Sequence, residues 1–186
     1  MFRCIGSYNI SNIVKCVDNL TNHDWIKWRD LQELYRSEDS TSTYCLYWCM
    51  PDDTDTYRVT IYDDSSALAK ACEDVISKLT QHFESKPIAV TFNKLLERRT
   101  IPPHTDPMYE GVHRIHIPIK THPHVFMMDE KYKLHRWNEG KVYNLNAAEG
   151  HGVVNASRID RIHMIIDIPS KQRIKPIIYE AATSTL

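Results

Sequence analysis

Residues 161–168 read RIHMIIDI. As an extended strand, this segment places Arg161, His163, Ile165 and Asp167 on one face and Ile162, Met164, Ile166 and Ile168 on the other. Residues 112–120, VHRIHIPIK, repeat the pattern. Ile115, Ile117 and Ile119 share one face, with Arg114 and His116 opposite. Two strands thus each carry an arginine and a histidine against an apolar face. That apolar face can point to a core or to a covering helix. The arginine faces can be solvated sides of half-buried strands or the lining of a site, and alternation alone leaves both open.

Outward from these two strands, the segments IAVTF (88–92), VFMMD (125–129), KVYNL (141–145) and GVVN (152–155) also read as short strands between turns. Many short strands with Gly and Pro turns predict a sandwich, barrel or jelly roll. Before Pro87 the character differs. TNHDWIKWRDLQELYR (21–36) spaces Trp25, Trp28, Leu31 and Leu34 or Tyr35 as an amphipathic helix, its tryptophans read as packing. Residues 64–83 give a second helix, capped by Ser65 or Ser66, with Leu68, Ala71, Cys72, Val75, Ile76, Leu79 and Phe83 as its stripe. YCLYWCM (44–50) reads as a short buried strand between polar loops, and YRVTIY (57–62) as another strand. The expected order is helices first, then a compact β unit.

The 186 residues suit a single domain, with 1–86 a helical and mixed part, 87–169 the β core and 170–186 a tail. A net charge of −1 gives no basic footprint for nucleic acid. No apolar run is long enough for a signal peptide or a membrane span. The five cysteines are odd in number, without a CxxC pair, which argues against a disulfide framework and fits a reducing, cytoplasmic setting. Cys45 and Cys49 are read as buried thiols rather than as metal ligands.

Residues 101–124 hold five of the ten histidines. Within them, His104 and Asp106 stand two apart, so an extended backbone aims both to one side. Pro103 and Pro107 stiffen the flanks. Two histidines and one carboxylate on one face, with three positions left open, form the ligand set of non-haem Fe(II) oxygenases. The third ligand must come from another strand, and His151, between Gly150 and Gly152, is the candidate. An H-x-D triplet by itself also occurs by chance.

Taken together, HTDP (104–107), RIHIPI (114–119), the Trp137 and Gly140 turn, HGVVNAS (151–157) and RIHMIIDI (161–168) resemble the aspartyl/asparaginyl β-hydroxylase family of 2-oxoglutarate-dependent oxygenases. The resemblance covers roughly the C-terminal half. It implies an α+β chain with a mainly β core, a cupin-like double-stranded β-helix (jelly roll) with the N-terminal helices packed on it. It implies His104, Asp106 and His151 as catalytic iron ligands, and Arg161 as partner of the distal carboxylate of 2-oxoglutarate, a role that suits a guanidinium fork. Arg114 and His116 would lie near the cosubstrate's metal-bound end, and Asn93 stands where the family often places a polar helper. Some members lack the carboxylate ligand; this chain has Asp106 and resembles the branch with the full triad. Where the family commonly has Glu after the turn glycine, this chain has Lys141.

The resemblance further implies a hydroxylase that oxidises 2-oxoglutarate with O2 to succinate and carbon dioxide and hydroxylates an unactivated C–H. The expected substrate is an amino-acid side chain, free or within a peptide, with no membrane partner. Its pocket would be built from residues 37–56, 97–111 and 129–140. Two other classes stand beside this reading. One is a cupin-like module that binds a metal or carboxylate without turnover. The other is a zinc hydrolase, for which Glu149 could act as base. His113 is read as packing or surface, and His122 and His124 as loop residues. Arg98 and Arg99 are read as a solvated loop. His163 either lines the cosubstrate pocket or packs.

Overall fold

The computed structural model describes residues 2–25, 40–49, 56–106 and 110–182. In chain order the first elements are β1 (Phe2–Ser7), α1 (Ser11–Asp18), β2 (Thr41–Cys49), β3 (Tyr57–Ile61) and α2 (Ala67–Phe83). Then come β4 (Ala89–Leu95), β5 (Thr100–His104), β6 (Val112–Lys120), β7 (Val125–Met128), β8 (Leu134–His135) and β9 (Lys141–Leu145). The last are β10 (His151–Asn155), β11 (Arg161–Pro169) and β12 (Ile177–Ala181).

Among the described residues the strands form two sheets. The larger has the order β1-β9-β6-β11-β4-β2-β3-β12, and the smaller β5-β10-β7-β8. Neighbours pair antiparallel except β3 and β12, which run parallel. Strands β6 and β11 lie at the centre of the larger sheet, paired in register so that Asp167 stands opposite Arg114 and Ile166 opposite Ile115.

All nine residues of β11 are buried, so both of its faces are covered. The isoleucine face meets the helices. Ile115, Ile117, Ile119, Ile162, Met164, Ile166 and Ile168 join Ile13 and Val17 of α1 and Leu68, Cys72, Val75 and Leu79 of α2 in one core. The other face looks into the space between the sheets. There Leu95 and Tyr143 of the larger sheet meet Met127 and Val153 of the smaller, with Trp137 between them. This is a jelly roll with its helices on the outer face of the larger sheet. It resolves the ambiguity of the alternating pattern: the apolar face belongs to the helix layer, and the arginine face to the interior.

Local sequence explains the elements. Ser66 caps α2, its Oγ accepting from Ala69 N at 3.0 Å, and the apolar stripe then recurs every three or four residues on the buried side. Gly140 has φ +70°, and a Cβ there would lie 2.7 Å from the carbonyl oxygen of Tyr8. Tyr8 N donates to Gly140 O at 2.8 Å, so only glycine lets the chain after β1 dock at this turn.

Several expectations need correction. The N-terminal part is not helical first: β1, β2 and β3 all enter the larger sheet. The strand expected at 44–50 is present but starts earlier, as β2 runs nine residues from Thr41 to Cys49. The tail contributes β12, which pairs with β3 from Ile177↔Tyr57 to Ala181↔Ile61. The expected helix at 21–36 lies outside the described residues from 26 onward. Its first residues form a turn in which Asp24 accepts from the backbone and hydroxyl of Thr21. Trp25 is buried in the helix-side core, with Lys94 Nζ 4.4 Å from its ring centroid. Cys45 and Cys72 are buried thiols, both pushed up to about 12 by burial.

Asn155 ends β10 and is 1% exposed. Its amide nitrogen donates to Leu96 O at 3.0 Å and Ile159 O at 2.9 Å, with Leu95 O at 3.3 Å. Its Oδ1 accepts from Ser157 N and Oγ. Within HGVVNAS this residue is a structural strut that joins β10 to the ends of β4 and β11. Asn155→Ala leaves these buried groups unsatisfied and should cost on the order of 3 kcal/mol. Urea denaturation checks this, and a loss below about 1 kcal/mol would contradict the strut.

Candidate metal centre and adjoining pocket

Strands β5 and β10 pair so that His104 stands opposite His151. The two rings are 4.3 Å apart. A tight approach makes this possible. A Cβ on Gly152 would lie 3.0 Å from Ile101 O and 3.3 Å from Pro103 N, so β5 and β10 meet backbone to backbone beside the histidines. Asp106 follows β5, and its N donates to Ala147 O at 2.8 Å, which ties it to the turn before β10.

Each histidine is oriented from behind. His104 Nδ1 is 2.8 Å from Pro102 O, and His151 Nδ1 is 2.9 Å from Glu149 O. A carbonyl can only accept, so Nδ1 carries a hydrogen in both rings, which leaves Nε2 as the nitrogen that can serve as a ligand. Both Nε2 atoms lie 3.7 Å from Asp106, one from Oδ1 and the other from Oδ2. One ligand atom from each of His104, Asp106 and His151 lies within 4.8 Å of the others. Two imidazoles and a carboxylate, gathered on one side with one nitrogen of each ring held by a carbonyl, are the donor set that a divalent iron takes. Burial and neighbouring His104 pull His151 down to about 4 against the opposing effect of Asp106. The ring is therefore neutral, as a ligand must be.

Arg114 donates through Nη1 to Asp106 Oδ2 at 2.5 Å. Its Nε lies 3.2 Å from Asp167 Oδ1, an ion pair not aligned as a hydrogen bond. Asp167 is 1% exposed, and burial pushes it up to about 6 although Arg114 draws it down.

Deeper between the sheets is a second polar group. Arg161 is 2% exposed, and burial lowers it to about 9, so it stays charged at neutral pH. Its Nη2 lies 3.6 Å from Met127 Sδ and 2.6 Å from His163 Nδ1. The guanidinium can only donate, so His163 Nδ1 accepts and its hydrogen sits on Nε2. His163 Nε2, Arg161 Nε, Trp137 Nε1 and both ring nitrogens of His116 are buried without a hydrogen-bond partner among the described residues. Trp137 stacks on His163 at 5.8 Å, and His116 meets both edge-on at 5.6 and 5.8 Å. A buried cation among unused N–H donors is costly by itself and suits an anionic guest. On the same interior face Asn93 stands opposite His163 and accepts from Thr43 Oγ1 at 3.0 Å.

The structure thus brings His104, Asp106 and His151 together, sets Arg114 beside them, and places Arg161 and His116 in the buried polar group between the sheets. His163 and Trp137 pack against this buried polar group. Trp137 carried no assigned role in the sequence, and Asp167 was placed on the right face without one. The signal for Asp167 was present: a carboxylate on an inward face needs a partner, and Arg114 is on the inward face of the adjacent strand. His113 stacks on Phe83 of α2 at 4.4 Å. His122 and His124 sit 5.0 Å apart in the turn before β7, and His124 is exposed. Glu149 turns its carboxylate to Asn146 Nδ2, at 2.9 Å. Arg98 and Arg99 are exposed. Pro107 lies outside the described residues.

The sequence matches the aspartyl/asparaginyl β-hydroxylase family over residues 10–171. No curated protein matches it. Among solved structures, a Burkholderia pseudomallei oxidoreductase of the 2OG-Fe(II) oxygenase family superposes with a TM-score of 0.55 at 11% identity, covering 97% of each chain. A Pseudomonas putida prolyl-4-hydroxylase superposes at 0.54 and 10% identity, covering 91% of this chain and 92% of that one. At such identities the likeness is one of fold. Among the described residues no helix is long and apolar enough to cross a membrane.

Burial holds His116 and His163 well below the ordinary histidine value of 6.5, with Arg114 reinforcing it for His116 and Arg161 for both. In the unfolded chain both titrate normally, so unfolding takes up protons once the pH falls below that value. Stability is therefore full above about pH 6.5 and declines below it, by up to about 1.4 kcal/mol per pH unit for each histidine. Urea midpoints measured from pH 7.5 to 5 should fall accordingly, and less steeply in His163→Asn. An equal slope in that variant would show that His163 is not desolvated.

Proposed function

Because the chain belongs to the aspartyl/asparaginyl β-hydroxylase family, we propose that His104, Asp106 and His151 hold its iron and that the pocket around Arg161 holds its cosubstrate. The chain is an Fe(II)- and 2-oxoglutarate-dependent dioxygenase that hydroxylates a C–H bond. The overall reaction consumes O2, 2-oxoglutarate and R–H and yields R–OH, succinate and carbon dioxide. Iron and 2-oxoglutarate, when bound, supply the oxygen chemistry. The protein supplies position, charge and a dry cavity.

The observation that carries the assignment of the triad is the fixed tautomer of both histidines. Pro102 O and Glu149 O each take an Nδ1–H, and both Nε2 atoms face the Asp106 carboxylate at 3.7 Å. Arg161 would grip the distal carboxylate of 2-oxoglutarate with its fork, beside the Nε2–H of His163 and the Nε1–H of Trp137. Arg114 and His116 would serve the end nearer the metal. Leu95, Met127 and Val153 wall this space with apolar surface, which excludes water and strengthens each charge-assisted contact.

The substrate we infer is an amino-acid side chain, free or within a peptide, admitted from the metal side of the pocket. A nucleic-acid substrate is disfavoured by the net charge of −1. We take the whole chain as one oxygenase domain. A cytoplasmic location is supported by the five cysteines, an odd number without a CxxC pair.

Succinate release from 2-oxoglutarate, with Fe(II) and a panel of amino acids and peptides, tests the reading. Asp106→Ala should lower it about 100-fold or more. Arg161→Met should raise the KM for 2-oxoglutarate about 10- to 100-fold, because it removes a charge-assisted contact of roughly 1.5–3 kcal/mol. A wild-type protein that binds 2-oxoglutarate yet releases no succinate with any substrate would instead be a binding module.

A further inference from the structure

Strand β11 carries one more charged group than the proposed site uses. Asp167 is 1% exposed and sits opposite Arg114 in the β6–β11 register. Arg114 is itself largely buried, with 12% of its side chain exposed, and its guanidinium spans two carboxylates. Nε meets Asp167 at 3.2 Å, and Nη1 meets Asp106 at 2.5 Å. The chain Asp167–Arg114–Asp106 therefore runs from the interior of the larger sheet to the metal centre. It joins residues distant in sequence through a single planar group.

From this we propose that Asp167 is a positioning residue for the metal centre: by holding one edge of Arg114 and offsetting its charge, it leaves Asp106 available to a divalent ion. The inference rests on the assignment of His104, Asp106 and His151 as ligands. The physical reason is competition for one carboxylate. Arg114 and a bound ion both draw on Asp106, and both are cations in a space of low dielectric. Asp167 tempers this conflict in two ways. Its negative charge reduces the repulsion between Arg114 and the ion. Its ion pair also fixes the guanidinium, so that Arg114 orients Asp106 without closing fully over it. Without that counter-charge, Arg114 is a buried cation that closes on Asp106 and raises the positive potential where the ion must bind. Lysine could not replace Arg114 here, because a point charge cannot bridge two carboxylates in a fixed plane.

The experiment is Mn(II) binding to the metal-free protein, without 2-oxoglutarate, followed by the electron paramagnetic resonance of free Mn(II). Thermal unfolding of the metal-free variants serves as the check on folding. Asp167→Asn should weaken Mn(II) binding about tenfold or more, in the range usual for groups that support a metal ligand. The same substitution in an Arg114→Met background should lose most of that effect. Arg114→Lys, which keeps the charge, should also bind Mn(II) several-fold more weakly, and it tests the bridge if Asp167→Asn does not fold. Asp167→Asn binding within twofold of wild type would overturn the proposal. So would an undiminished effect in the Arg114→Met background, or normal binding by Arg114→Lys. Failure of the wild-type protein to bind Mn(II) is a different result, which would remove the metal centre itself.

Discussion

The fold depends on two strands being buried on both faces. Strands β6 and β11 lie at the middle of the larger sheet, with helices α1 and α2 on one side and the smaller sheet on the other. Isoleucine and methionine fill the helix side, where close packing of branched and flexible chains stabilises the layer without polar demands. The inner side cannot be apolar throughout, because it carries Arg114, His116, Arg161, His163 and Asp167. Burying these groups opposes folding unless each finds a partner or a guest. The helix-side core must be large enough to offset that cost. Functional polarity on one face is tolerated because the other face is mainly hydrophobic.

Much of this was legible in the sequence, because a strand has a period of two and reports which residues share a face. Arg161 with His163, and Arg114 with His116, were placed correctly against their isoleucine rows. The direction in which each face points was not legible, since alternation is identical for a solvated and a lined side. The helix α2 was readable from its stripe and cap. Strand β5 was hidden by Pro102 and Pro103, residues that ordinarily argue against strand pairing. They are tolerated because β5 lies at the edge of the smaller sheet. Strands β1 and β12 are short, partly exposed edges of the larger sheet, with too few apolar residues to announce themselves.

The candidate site was legible in its three clustered side chains and less so in their supports. His104 and Asp106 are neighbours in sequence, so their joint aim follows from strand geometry. Their union with His151 requires the β5–β10 pairing, which the residues alone suggest only through the glycines at 150 and 152. The carbonyls of Pro102 and Glu149, which set the histidine tautomers, are invisible to any reading of side chains. Trp137 and its unused indole N–H escape for another reason. Its place between the sheets is set by β9 and by Phe2 at the far edge, 4.9 Å away.

The cross-strand pairing of His104 with His151 has a mechanical consequence. Among the described residues the smaller sheet has four strands, and β8 is a two-residue edge. An ion shared between β5 and β10 would act as a rivet across that thin layer. A slip of one residue between the two strands would turn one histidine to the opposite face and undo it. Occupancy would thus be coupled to register, and the native pairing would gain the free energy of binding while slipped pairings would not.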